Sequence, residues 1–402
     1  MHLRTRGISA MALCALAVAA SAVLSSGVAA GPDAGGHVYV NDNTAGANTI
    51  AAFERHVDGT LTPVEGSPFS AGGAGTGTVI GSQGALQLSG DGRYLLAVDA
   101  GSNEISVLRI RPDGALTAVE DGTVSSGGVE PISIAVHGDL VYVANEGNAG
   151  SAPNYSGFRL NRGGHLTPIE DSTVLLPSTA NPGDVLFNST GTNLIGIEVG
   201  TTGPSTFLID SFAVGSRGQL TRAAGSPFAA QAAGPFGSEF SPANPAHLYV
   251  SNAHGGSLAG SVSAFNVAHD GTLSSIGASP YADHQTAPCW VEISHDGRYL
   301  FTVNTASTTI SSYQIQSDGS LSLLGPPTTF SSGNKGVRPF DARLDPTGKD
   351  LYVVDAGLPA VSAFAVSGGS LTELAQSPSA LPAGATPFGI VVTSSDQENR
   401  EE

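Results

Sequence analysis

A Gly-x-Leu element recurs seven times in this 402-residue chain, with its leucine at Leu61, Leu116, Leu166, Leu220, Leu273, Leu321 and Leu371. The intervals run from 48 to 55 residues, and self-similarity at such a period marks a repeat architecture. Eight positions before six of these leucines stands an apolar residue, Phe53, Leu108, Phe158, Phe212, Phe265 or Tyr313; Phe364 precedes the seventh by seven. A second series ends in a polar residue: VYVN41, YLLAVD99, VYVAN145, NLIGIE198, LYVSN252, LFTVN304 and LYVVD355. A third opens with proline at Pro131, Pro182, Pro235, Pro288, Pro339 and Pro387, with Gln83 in the remaining place.

Each unit therefore reads as four strands. In the sixth, PCWVEI (288–293) is strand one, His295-Asp296-Gly297 turns into RYLFTVN, ISSYQI follows as strand three, and Asp318-Gly319 turns into strand four. Asp-Gly suits such turns because glycine accepts positive φ and aspartate bonds the local backbone. Alternating apolar and polar residues in ISSYQI are the period-two signature of a strand. Seven four-stranded antiparallel units that cannot bury both faces alone predict an all-β, seven-bladed β-propeller over residues 31–394. The first unit begins at strand two, and the last segment, PFGIVVT (387–393), is a strand one with nothing after it. It is expected to pair with the N-terminal strands and close the ring.

The ends are different in kind. Arg4 and Arg6, an apolar stretch from Ile8 to Leu24, and Val28-Ala29-Ala30 predict an export signal over residues 1–30 and a secreted or extracytoplasmic product with no remaining membrane span. Residues 395–402 read as a disordered acidic tail. Once the signal and its Cys14 are removed only Cys289 is left, so no intrachain disulfide forms. Net charge is −18 with only two lysines, Lys335 and Lys349, which excludes nucleic acid as a partner because no basic stripe can displace phosphate counterions. A monomer with a small-molecule ligand is expected.

PFDARLDPTGKDLYVVD (339–355), PCWVEISHDGRYLFTVN (288–304) and the recurrent DGxL tips resemble the lactonase family of seven-bladed propellers, which includes 6-phosphogluconolactonases and fungal carboxymuconate-cyclising enzymes. The resemblance is to an exported branch and covers nearly the whole mature chain. It implies a lactone hydrolase or a muconate-type cycloisomerase with its ligand at the axial mouth. Family enzymes often carry Pro-Arg-His or Pro-Arg-Asn at the start of a strand one. Here the residues after each proline include no Arg or His, and Arg338 precedes Pro339.

By analogy, the starts of strand one and the loops after strand two share the ligand-bearing face. Asp184 and Asp341 occupy equivalent columns, and two close carboxylates raise one pKa and can divide acid and base roles. His284 and His254 stand in mouth loops as candidate bases, and Arg338 or His254 as candidate polarisers of a carbonyl. The catalytic candidates are thus Asp184, His284, Arg338 and His254. The substrate-binding candidates are Trp290, which could stack on a ring, together with Asp341, Glu198 and Asn252. Asp184, His284, Trp290, Arg338 and Asp341 are expected to line one pocket at the opening. Cys289 reads as an inert buried thiol, and the series ending strand two as loop-capping residues. Glu239, Glu292 and Arg343 share a deeper column, where Arg343 could pair with an acid. No cofactor and no resident metal site is expected, although the paired carboxylates suit a hard cation such as Ca²⁺. Two functions remain open: action on a small non-phosphorylated lactone or sugar acid, or non-catalytic binding of a cation, glycan or peptide.

Overall fold

The computed structural model describes residues 34–201, 203–331 and 336–395. The expected export signal, and all of the acidic tail except Ser395, lie outside the described residues.

Seven antiparallel sheets follow one another around a common axis. Their inner strands are Ile390–Val392 in blade one, then Leu86–Leu88, Pro131–His137, Pro182–Phe187, Pro235–Phe240, Pro288–Ile293 and Pro339–Leu344 in blades two to seven. Blade one is composite. Its inner strand pairs antiparallel with the N-terminal strand Ala34–Asn41, placing Val392 opposite Val38 and Ile390 opposite Val40. The Thr393 hydroxyl accepts a bond from the His37 amide at 2.9 Å. The last strand thus closes the ring, although the regular part is shorter than the sequence pattern suggests.

The expected fourth strand is broken in two in six blades, as in Leu61–Pro63 and Phe69–Ser70, both of which pair with Thr49–His56. In five of those six a proline falls in the break, at Pro68, Pro227, Pro280, Pro326 and Pro378. Proline has no N–H to offer the ladder. Blade two has none there, and its outer strand Leu116–Ser125 is continuous.

The Asp-Gly tips form as the sequence implies. Asp58, Asp91, Asp113, Asp270, Asp296 and Asp318 each accept the backbone N–H two residues on, at 3.0 to 3.2 Å. The glycines after them take positive φ, for example +81° at Gly59. These turns also join the blades. In the row of second-strand residues Tyr39, Leu96, Tyr142, Ile195, Tyr249, Phe301 and Tyr352, every tyrosine hydroxyl donates at 2.9 Å to a turn carbonyl of the following blade: Gly114, Gly218, Gly319 and Gly59. The Tyr352 bond to Gly59 spans the closure. A buried core between the blades, with Tyr39, Tyr142, Tyr155, Tyr249 and Tyr352 fully enclosed, supplies most of the stabilisation through apolar burial.

Candidate active site

The polar residues ending each second strand are structural pins. Asn252 donates to the hydroxyls of Ser261 and Ser263 at 3.1 and 3.0 Å, and Asn304 to Thr309 and Ser311 at 3.0 and 2.9 Å. Asp355 accepts the amides of Arg338, Gly357 and Leu358, which is the loop cap expected for this series. Most members instead tie the second strand to the third. Glu198 lies away from the axis beside Asp210, which is paired with Arg222 and accepts the Tyr155 hydroxyl at 3.3 Å. Burial and the neighbouring Asp210 push the Glu198 carboxyl upward.

At the loop-bearing end, the axis is filled. Residues Ser82 to Gly84 cross it and bond to inner strands of five other blades. The Ser82 hydroxyl donates to Ile132 O at 2.7 Å, and the Gln83 amide to Gly183 O at 3.0 Å. The Gln83 side chain donates to Ser238 O at 2.8 Å and accepts the Val291 amide at 3.1 Å. Gly84 accepts the Ile134 amide and directs its own N–H at Asp341. A proline in Gln83's place would lack both the amide proton and the side-chain donor used here. Close approach demands a glycine opposite: a Cβ on Gly237 would sit 2.2 Å from the Gln83 side-chain oxygen.

Trp290 completes this plug. Its ring lies 4.6 Å from Phe340 in a stacked arrangement and 5.2 Å from Phe236 edge-on, and its indole N–H donates to Ser82 O at 2.8 Å. It is 1% exposed, so no ring face is open to a ligand. Beside it, Cys289 is buried, and burial pushes its thiol up to about 12. Arg338 lies exposed above the plug with its guanidinium 5.2 Å from the Phe340 ring centroid. His284, at φ +57°, and His254 are exposed in loops on the same face, and partial burial lowers the His254 pKa.

Below the plug the inner strands carry charge. Asp184 accepts the Ser238 amide at 3.0 Å, the Ser238 hydroxyl at 2.7 Å and the Ser133 hydroxyl at 3.3 Å. Burial raises its pKa to about 7, opposed by the Ser238 hydroxyl and reinforced by Asp341. Asp341 accepts the Ala342 amide at 2.9 Å, and burial raises it to about 6 against the pull of Arg343. Arg343 donates to Glu292 at 3.0 Å and lies 3.6 Å from Glu239, so the deeper column is one ion-paired group. Glu292 also accepts the Leu344 amide at 2.9 Å. Burial pushes Glu239 and Glu292 upward despite the guanidinium, and Arg343 is raised further by the acids around it. Among the described residues no set of three or more His, Cys, Asp or Glu side chains is arranged to hold a metal ion.

A cavity of about 140 Å³ occupies this level, lined by Gln83, Gly84, Gln87, Ala135, Val136, Asp184, Val185, Leu186, Phe187, Ser238, Glu239 and Arg343. Of the five residues expected at one opening, only Asp184 lines it, with Asp341 in electrostatic reach. Trp290 belongs to the plug; His284 and Arg338 lie on the outer face. The plug's only sequence signs are Gln83 as the single exception in the proline column and the 55-residue first interval, the longest of the six.

The profile of the family described as "Lactonase, 7-bladed beta-propeller" matches residues 32–177 and 216–397. A protein of Bacteroides fragilis provisionally described as a 6-phosphogluconolactonase superposes with TM-score 0.70 at 19% identity, covering 90% of this chain and 99% of that one. A periplasmic gluconolactonase of Pseudomonas aeruginosa superposes with TM-score 0.67 at 16% identity, covering 89% and 99%. Likeness at these identities speaks for the fold. The comparison with curated proteins gave no match. Seven blades, a terminal strand that closes the ring and a family profile running across most of the sequence lead to one assignment: the chain belongs to the seven-bladed β-propeller lactonase family.

Proposed function

We propose that this protein hydrolyses a small non-phosphorylated lactone in the axial cavity, outside the cytoplasm. The observation that carries the reading is the meeting of Asp184 and Arg343 on one cavity. Lactone hydrolysis needs a base for the attacking water and a donor for the carbonyl oxygen. Asp184, with its pKa near 7, is matched to take a proton at neutral pH. Arg343 has five N–H donors, and its contacts with Glu292 and Glu239 do not exhaust them. Four carboxyl groups around one guanidinium disfavour a phosphate ester. At about 140 Å³ the cavity is well below the roughly 300–1,000 Å³ of drug-sized pockets, which points to a single small ring. The export pattern at residues 1–30 and the periplasmic gluconolactonase among the similar structures support the location.

The test is proton release from a panel of five- and six-membered aldonolactones between pH 5 and 9. Turnover should rise through pH 7, and Asp184→Asn should lower kcat at least about a hundredfold, the scale of a lost general base. No turnover by the folded protein across the panel would overturn the reading.

A further inference from the structure

The inner strands give their two ends unequal access to water. In the layer nearest the loop-bearing face, Ser82, Trp290, Phe340 and Phe388 are all at most 2% exposed. Further along the same strands exposure returns: Gln87, Val136, Phe187, Glu239 and Arg343 are all partly exposed, with the Glu239 and Arg343 side chains at 30% and 22%. These five residues also line the cavity, and Gln87, Val136 and Phe187 stand near the far ends of their strands, beside the turns into strand two. The cavity therefore meets solvent on the side of the tight turns and is shut on the side of the long loops.

We infer that the ligand of the axial cavity enters and leaves through the turn-bearing face, past Gln87, Val136 and Phe187, and that the segment Ser82–Gly84 with Trp290 is the closed floor of the site. The inference rests on the cavity being the functional site, and it sets a size limit at the rim instead of at the loops. The plug is held by at least seven hydrogen bonds to inner strands, counting Ser82 Oγ, Ser82 O, both Gln83 side-chain contacts, the Gln83 amide and both Gly84 contacts. Opening the loop side would break these together and expose Trp290 with its two aromatic neighbours. The turn side needs no such rearrangement.

Thiol labelling reads the access route without any turnover. The full chain carrying Gln87→Cys, and separately Val136→Cys in case the first disturbs folding, is treated in its native state with a small charged methanethiosulfonate. Peptide mass spectrometry then follows each thiol alone. The introduced thiol should react at least tenfold faster than Cys289, which lies at the plug, and both should react alike in denaturant. Reaction no faster than at Cys289, in a folded protein, would overturn the inference. The adduct at residue 87 should also lower lactone turnover at least tenfold. Fast labelling with turnover unchanged would leave the access route standing and remove the hydrolytic reading of this cavity.

Discussion

The two ends of the axial channel are built from the same seven strands and have opposite chemistry. At the loop end, positions just after the proline column hold Phe236, Phe340, Phe388 and Trp290, and a crossing segment ties them shut. Two or three residues further on, the same strands hold Glu239, Glu292 and Arg343. The shut end is apolar and satisfied by backbone bonds. The open end holds charges whose solvation is partial. The inner strands thus hold their charge at one end of the axis and their seal at the other.

The strongest challenge to this contrast is Trp290→Ala. It removes a fully enclosed ring and its bond to Ser82, so stability should fall by about 4 kcal/mol. Cys289 should become reactive at the same time. A drop below about 1 kcal/mol in a denaturant titration would mean the loop end is not the tight layer described here. Arg343→Met comes next. It leaves Glu239, Glu292, Asp341 and Asp184 without their shared cation, and about 2–3 kcal/mol should be lost at pH 8, discounted for the partial exposure of the guanidinium. The loss should shrink as the acids protonate, which chemical denaturation at pH 5 would show.

The third effect is a slope with pH. Asp184 and Asp341 have folded pKa values of about 7 and about 6, above the 3.8 of the free carboxyl. A raised acid means that the native state binds the proton more tightly than the unfolded chain. Stability should therefore fall as pH rises from about 4 towards 7 and then level off. Asp184→Asn should flatten that slope, read as melting temperature against pH. A slope left unchanged by the substitution would place the titrating groups elsewhere.

The blades were legible because each depends on residues close in sequence. Period-two alternation, Asp-Gly turns and a proline opening six of the seven inner strands recur in columns, so the copies confirm one another. Even the capping bonds of the six Asp-Gly tips follow from local geometry. The channel was legible only in part. Asp184, Glu239, Glu292 and Arg343 could be placed on inner strands, and the Arg343 pairing followed from shared depth. What fills the axis depends on residues far apart in the chain: Trp290 meets Ser82 across 208 positions, and nothing near either residue announces it. His254, His284 and Arg338 stand in exposed loops on the loop-bearing face, and the plug between those loops and the acids shows in the repeat only as Gln83 in place of a proline and a longer first interval.

The tyrosine row has a consequence of parity. Tyrosine occupies every second blade, beginning with blade one. In an even-numbered ring each alternate latch would meet an unlatched neighbour on both sides. Seven is odd, so the alternation must fail once, and it fails where the ring begins and ends. Tyr352 reaches from blade seven into blade one, and Tyr39 reaches from blade one into blade two. The one blade assembled from both ends of the chain is therefore the only one clamped on both flanks by this row. The misfit of a two-step pattern in a seven-step circle falls at the place where the circle was most easily broken.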